Sequence, residues 1–302
     1  GRLSGAGMVI YMRLLFRLLS MIPLWIVHPV GGALGALVWR CSAKYRRKMA
    51  ENLAQAGYDS DAYSPAVSRE LGKQAAETAW IWGKPRKALM KHVSATAEAE
   101  RIIGDALASG RPILFITPHI GSFEVAPVWL AERVLAGTDR YMAILYRIPK
   151  KSILQNVVLH GRETPGIRPA PATLKGVRML VSSFRGGQVV GVLPDQVPSK
   201  GEGVWVNFFG RPAYTMTLPL RLAHQFDAVK IVAWGCRISS RGWEIDARLW
   251  NEPLTGNMKD DAVTMNQHLE RVIRLLPEQY LWAYNRYKCP AGVNPPEEQA
   301  KE

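Results

Sequence analysis

Short, continuous apolar runs recur along the chain: Pro112–Thr117 (PILFIT), Tyr141–Tyr146 (YMAILY), Gln188–Leu193 (QVVGVL) and Val229–Gly235 (VKIVAWG). Runs of this length, with no polar alternation, predict strands buried on both faces of a parallel sheet. Between and beyond them, apolar residues recur at helical spacing near 98–109, 122–136, 173–186, 215–226 and 259–276. Two earlier helices are predicted over 44–56 and 64–83, the first closed by Gly57. Strands alternating with helices predict an α/β fold with a largely parallel central sheet flanked by helices. Trp243–Trp250 (WEIDARLW) alternates apolar and polar residues and predicts a half-exposed antiparallel strand. Leu281–Tyr287 (LWAYNRY) predicts a last strand.

The amino-terminal texture differs. Leu18–Trp39 carries no full charge over 22 residues, about the 20 that a helix needs to cross a bilayer. Arg13 and Arg17 precede it, and Arg40, Lys44, Arg46, Arg47 and Lys48 follow. Basic flanks on both sides and no small-residue cleavage site favour a retained membrane-associated helical segment over a signal peptide. Pro23, Pro29 and Gly31–Gly32 interrupt the run. Two readings stay open: a segment spanning or lying on a membrane, and a hairpin of two short apolar helices packed on the domain. The chain divides into residues 1–7 (GRLSGAG, a cloning remnant set apart from the fold), an amino-terminal segment 8–43, a main domain 44–294, and a loose acidic tail 295–302.

Composition narrows the class. Of 302 residues, 48% are hydrophobic and 21% charged, which excludes wholesale disorder. A formal net charge of +14 points to an anionic partner, which could be nucleic acid, acidic lipid or an acidic carrier protein. Cys41, Cys236 and Cys289 form no C-x-x-C pair, which argues against a disulfide framework or structural zinc and for a reducing compartment.

The chemistry concentrates at Thr117–Glu124 (TPHIGSFE). His119 follows an apolar strand, and parallel sheets bind ligands beyond the carboxyl ends of their strands. The H-x4-E spacing spans a turn and a helix start, so Glu124 is expected to hold one imidazole nitrogen while the other faces substrate. Such a pair suits general-base catalysis on a hydroxyl. Ser122 reads as a helix cap and not as a nucleophile, and Pro127 predicts a kink or a later helix start. Backbone N–H groups at 121–123 are candidate oxyanion donors. Arg147 and Asp195–Gln196 each stand at the end of a predicted strand. The remaining histidines lack a second ligand at metal spacing, so no metal site is expected. On these residues alone, a loop histidine beside a surface helix and a non-catalytic basic membrane or nucleic-acid binder both stay open. An α/β-hydrolase is disfavoured, since no G-x-S-x-G is present.

With His119-x4-Glu124 following its strand, the chain resembles the glycerolipid and lysophospholipid acyltransferase superfamily. With Val189–Val197 (VVGVLPDQV), Gly203–Thr217 (GVWVNFFGRPAYTMT) and Leu276–Lys288 (LPEQYLWAYNRYK) added, it resembles the bacterial lipid A biosynthesis lauroyl/myristoyl acyltransferases from about residue 10 to 288. The resemblance implies an acyltransferase domain over 44–294. Glu124 stands where other branches carry aspartate. Arg147 matches a second-motif arginine for anionic acceptor groups. Asp195 and Gln196 fall where other branches have Pro-Glu-Gly. Arg211 stands in the fourth motif as a phosphate contact, while Thr215 or Thr217 caps the next helix. Arg162 and Lys175 extend the basic surface. The implied reaction takes an acyl chain from acyl carrier protein to a hydroxyl of a Kdo-bearing lipid A precursor at the cytoplasmic face of the bacterial inner membrane. Membrane lipids are then partners, and nucleic acid and further cofactors are not. A phospholipid-pathway acyltransferase acting on glycerol phosphate or a lysolipid remains the alternative.

Overall fold

The computed structural model describes residues 5–146, 165–238 and 241–296. The apolar amino-terminal run forms two helices, α1 (Gly5–Leu19) and α2 (Leu24–Cys41), separated at Pro23. α1 begins within the residues set apart from the fold as a remnant. α3 (Ala43–Gln55) starts at Ser42, whose hydroxyl accepts from the Tyr45 N–H at 3.3 Å, and α4 (Ser60–Gly83) is capped by Asp59. One face of α2 lies backbone to backbone on α4. A Cβ on Gly35 would stand 2.1 Å from the Ser68 carbonyl oxygen, and one on Gly72 would stand 2.1 Å from the Gly31 carbonyl oxygen. Only hydrogen fits at these positions, and the contact draws His28 of α2 to Glu77 of α4 at 3.0 Å.

The short helix α5 (Arg86–Leu89) leads into β1 (Val93–Ala95), α6 (Ala97–Ala108), β2 (Ile113–Ile116), α7 (Val125–Trp129) and β3 (Met142–Tyr146). After these come β4 (Ile167–Pro171), α8 (Leu174–Arg185), β5 (Val189–Val192), the hairpin β6 (Gly203–Phe208) and β7 (Arg211–Met216), α9 (Leu218–Gln225), β8 (Val229–Ile238), β9 (Gly242–Leu249) and α10 (Met258–Leu275). The seven-stranded sheet has the order β1-β9-β8-β2-β5-β3-β4. β8, β2, β5, β3 and β4 run parallel, and β9 is antiparallel to β8, as its alternation predicts. Every residue of β2 and of β5 is buried. α3, α8, α9 and α10 cover one face of the sheet, while α6, α7 and the end of α4 cover the other. Two-sided cover is why these strands read as unbroken apolar runs.

Three elements depart from expectation. Residues 281–287 form no strand; the segment is irregular, and Tyr280 just before it makes an isolated bridge to Ile120 in the turn after β2. β4 (IRPAP) is an added strand, and its prolines are tolerated because it lies at the sheet edge. The β6–β7 hairpin turns at Phe209 (φ 47°) and Gly210 (φ 77°), a two-residue turn with both φ positive. Phenylalanine is unusual there. Its N–H donates to Glu270 at 2.7 Å and its carbonyl accepts from Gln55 at 2.8 Å, so tertiary contacts hold the turn. Pro127 lies in the first turn of α7, where backbone N–H groups lack intrahelical acceptors, and the helix starts late, at Val125.

Candidate active site

The chain leaves β2 toward β3 and leaves β5 toward β8, in opposite directions across the sheet. The turns after these two neighbours therefore meet at their carboxyl ends, where open α/β sheets bind ligands. Thr117 N–H still reaches Val192 across the ladder at 3.0 Å. Two residues on, His119 meets the turn that follows β5.

Asp195 takes hold of His119 twice. One carboxylate oxygen lies 2.7 Å from Nδ1, and the other accepts the His119 backbone N–H at 2.8 Å. Asp195 is buried, while the His119 side chain keeps 13% of its surface exposed. With Nδ1 as the donor to Asp195, the Nε2 lone pair faces outward, and Gln196 Nε2 lies 3.2 Å from it. Burial pushes the Asp195 carboxyl up, but the His119 charge and hydrogen bonds, with the Arg286 charge behind, bring it below the usual carboxylate value. An ionised carboxylate on Nδ1 fixes the tautomer and stabilises the imidazolium that a general base becomes.

This corrects the expected pairing: the carboxylate on Nδ1 is Asp195 and not Glu124. Glu124 is buried in the same turn and accepts from the Trp82 indole at 3.2 Å. It stands at the position just before α7, so Ser122 is not the cap; the Ser122 carbonyl accepts from Val125 at 3.2 Å. Among the proposed oxyanion donors, Gly121 N–H is taken by the Gln279 carbonyl at 3.0 Å and Ser122 N–H by the Gly235 carbonyl at 2.8 Å. Phe123 remains of the three, and its ring stands 4.9 Å from the His119 ring, edge on.

The turn is braced from outside the motif. Leu281 N–H donates to the His119 carbonyl at 3.1 Å, and Gln74 of α4 donates to the Gly121 carbonyl at 2.8 Å. Gly121 adopts φ 55°, and a Cβ there would lie 2.0 Å from the Gly235 carbonyl oxygen, so the turn requires glycine. Beneath it, buried Arg237 binds Glu77 through two hydrogen bonds of 2.7 Å and also pairs with Glu70. Burial would lower the Arg237 pKa, but the two carboxylates raise it.

The other expected site residues separate. Lys175 is exposed in the first turn of α8, beyond the edge strand β4. Arg211 is exposed at the tip of the hairpin, over the Tyr287 ring at 5.0 Å, and not beside Asp195. Arg147 and Arg162 lie outside the described residues. Thr217 occupies the position before α9 without a side-chain cap bond. Thr215 instead binds Arg286, at 2.7 Å. Phe208, Phe209 and Tyr214 pack into buried core.

Arg286 and Tyr280 were not singled out from sequence, although both stand in LPEQYLWAYNRYK. The Arg286 guanidinium is buried; it donates to the Tyr214 carbonyl and to Thr215 Oγ1, both at 2.7 Å. Burial lowers its pKa, against the opposing pull of Tyr280 and Asp195. Tyr280 is raised well above its ordinary value by burial and by Asp195. The usable signal was an arginine inside an aromatic run, where a cation without a purpose would be costly.

Compared with known proteins, residues 4–289 match the model of a family described as bacterial lipid A biosynthesis acyltransferase. A phosphatidylinositol mannoside acyltransferase of Mycobacterium tuberculosis (strain CDC 1551 / Oshkosh) is 28% identical over 164 residues, 51% of this chain and 49% of that protein. The chain thus spans about half the length of that relative. A lipid A biosynthesis acyltransferase of Haemophilus influenzae is 23% identical over 273 residues, 88% of this chain and 82% of that protein.

Proposed function

Because the chain belongs to the bacterial lipid A biosynthesis acyltransferase family, we propose that it transfers a fatty acyl chain from acyl carrier protein to a hydroxyl of a Kdo-bearing lipid A precursor. The observation that carries the chemistry is the His119–Asp195 pair with Nε2 turned outward. The acceptor hydroxyl takes the place of the Gln196 amide at Nε2. As its oxygen attacks the thioester carbonyl, Nε2 receives the proton and Asp195 stabilises the imidazolium. The carbonyl becomes a tetrahedral oxyanion, for which the Phe123 N–H and the displaced Gln196 amide are the donors. Collapse breaks the C–S bond, and His119 returns its proton to the departing thiolate. The reaction so written draws only on donor thioester, acceptor hydroxyl and these side chains. The +14 charge suits an acidic carrier and a phosphorylated lipid, and the site of action is the cytoplasmic face of the inner membrane.

A second reading has a glycolipid of another kind as acceptor. It is favoured by the similarity to a phosphatidylinositol mannoside acyltransferase. The test is an assay of the purified chain with carrier-bound and CoA-bound acyl donors of varied length. Acceptors are a tetra-acylated Kdo-lipid A precursor and a phosphatidylinositol mannoside, with products read by mass spectrometry. One added acyl group on the Kdo-bearing lipid, from carrier-bound donor, is expected. Transfer only to the mannoside, or only from CoA, overturns the corresponding half of the proposal.

A further inference from the structure

Large exposed apolar side chains concentrate on the first two helices. On α2 they are Trp25, Ile26, Val30, Leu34, Leu37 and Val38; Leu34 is 56% exposed and Trp25 66%. The spacing of Ile26, Val30, Leu34, Leu37 and Val38 keeps them on one side of the helix, and Trp25 is exposed at its amino-terminal end. Tyr11, Leu14 and Leu18 line α1 in the same way, and Met21 at the bend between the helices is 72% exposed. The opposite side of α2 is not available to lipid. It carries Leu24, His28, Gly31, Gly32, Gly35 and Ala36, all buried.

α2 is 18 residues long and apolar enough to cross a bilayer, about 27 Å of helix. Length does not decide its orientation; its neighbour does. The glycine contacts fix α2 along α4, and His28 is tied to Glu77, which holds Arg237. An upright α2 would carry Arg69, Glu70 and Lys73 of α4 into hydrocarbon with it, and of these Arg69 is exposed. Charges at that depth cost about 2.5–3.5 kcal/mol each on insertion scales. Lying flat, α2 puts only its apolar side into lipid and leaves α4 in water. Exposed Arg17, Arg40, Lys44 and Arg47 stand near the ends of the helix pair, where anionic headgroups would meet them. A second copy of the chain laid on this surface by a two-fold axis would bring the same cations together, so charge favours a bilayer over a dimer.

We propose that α1 and α2 form an in-plane, monotopic hairpin seated in one leaflet of an anionic bilayer, with both helices parallel to its surface and neither crossing it. This concerns the mode of attachment and does not depend on which acceptor is acylated.

The test uses the full chain with Cys41, Cys236 and Cys289 replaced by serine. Nitroxide labels are placed singly through Leu14→Cys, Ile26→Cys, Leu34→Cys and Val38→Cys, on vesicles of phosphatidylethanolamine and phosphatidylglycerol. These side chains point away from the protein, so the fold is retained, and circular dichroism checks it. Relative collision rates with oxygen and a water-soluble nickel chelate report depth. All four labels should lie at one shallow depth, about 5–10 Å below the headgroup boundary. A profile that falls to the midplane between Ile26 and Val38 and rises to the opposite surface overturns the proposal in favour of a span. No depth at any label, or spin–spin broadening that grows with protein concentration without vesicles, overturns it in favour of a protein contact.

Discussion

Asp195 binds both the ring and the backbone of His119, at 2.7 Å and 2.8 Å, so one carboxylate sets the tautomer of the imidazole and the path of its turn. Asp195→Asn keeps the shape but can no longer stabilise the imidazolium. Turnover should fall by about 10^4-fold, the loss seen when a buried carboxylate behind a catalytic histidine is neutralised. Glu124→Gln retains an acceptor for Trp82 and should cost less. Steady-state kinetics of the two variants rank them; an equal or larger loss in Glu124→Gln would return the orienting role to Glu124.

His119→Gln removes the proposed base and leaves the turn's backbone bonds. Transfer should drop by at least about 10^2-fold, the lower bound for general-base contributions. Thermal unfolding and vesicle binding should be close to wild type. Full activity in this variant would end the proposed mechanism.

Asp195 and Glu77 are both buried and both held below the usual carboxylate value. For each, burial raises the pKa, and the cationic partners more than reverse it: His119 and Arg286 for Asp195, Arg237 and His28 for Glu77. A depressed carboxylate contributes stability that is complete above its unfolded pKa, about 4, and is lost as pH falls through the folded value. Urea midpoints should therefore be flat near neutrality and decline below about pH 4. In Asp195→Asn that acid-side decline should be shallower.

Gly35→Leu places a side chain where even a Cβ would stand 2.1 Å from the Ser68 carbonyl oxygen. α2 must then leave α4, at a cost above the roughly 1–3 kcal/mol of ordinary overpacking. A fall in the thermal midpoint, with accelerated amide exchange in α2, is the expected result. Leu34→Ala on the exposed side should leave the midpoint in buffer unchanged.

Replacing Arg286 by methionine deletes two hydrogen bonds from a buried cation. At about 1.5–3 kcal/mol for each bond to a charged group, denaturant unfolding should register a clear loss of stability. Arg286→Lys, which keeps the charge, should recover part of the activity through Asp195.

The parallel strands and most helices were legible because burial on both faces writes itself as uninterrupted apolar sequence. The site was legible where chemistry is local: His119 after its strand, Asp195 and Gln196 after theirs. What failed was partnership across the sheet. Glu124 lies nearer His119 along the chain, yet Asp195, 76 residues away, is the one bonded to it, and strand order cannot be read from one sequence. The hairpin was missed because Phe209–Gly210 is not a turn sequence; Glu270 and Gln55 hold it. β4 was missed because prolines mark turns unless a strand happens to be an edge. Residues 281–287 alternate like a strand, but their polar and aromatic groups serve the core: Asn52 reaches the carbonyls of Trp282 and Tyr284 at 2.6 Å and 2.8 Å.

The hydrogen bond from Leu281 to the His119 carbonyl carries a consequence for the order of assembly. The catalytic turn is closed on one side by α4 and on the other by residues 279–281. A chain emerging from the ribosome can pair β2 with β5 and β8 while residues 279–281 are still inside the exit tunnel, yet the His119 carbonyl and the Gly121 N–H have no partners until those residues arrive. Tyr280, Trp282 and Tyr287 of the same segment are buried in the core, so the core and the turn that carries His119 are completed by one segment. On the proposed mode of attachment, α1 and α2, first to be synthesised, meet the membrane surface before that segment closes the turn.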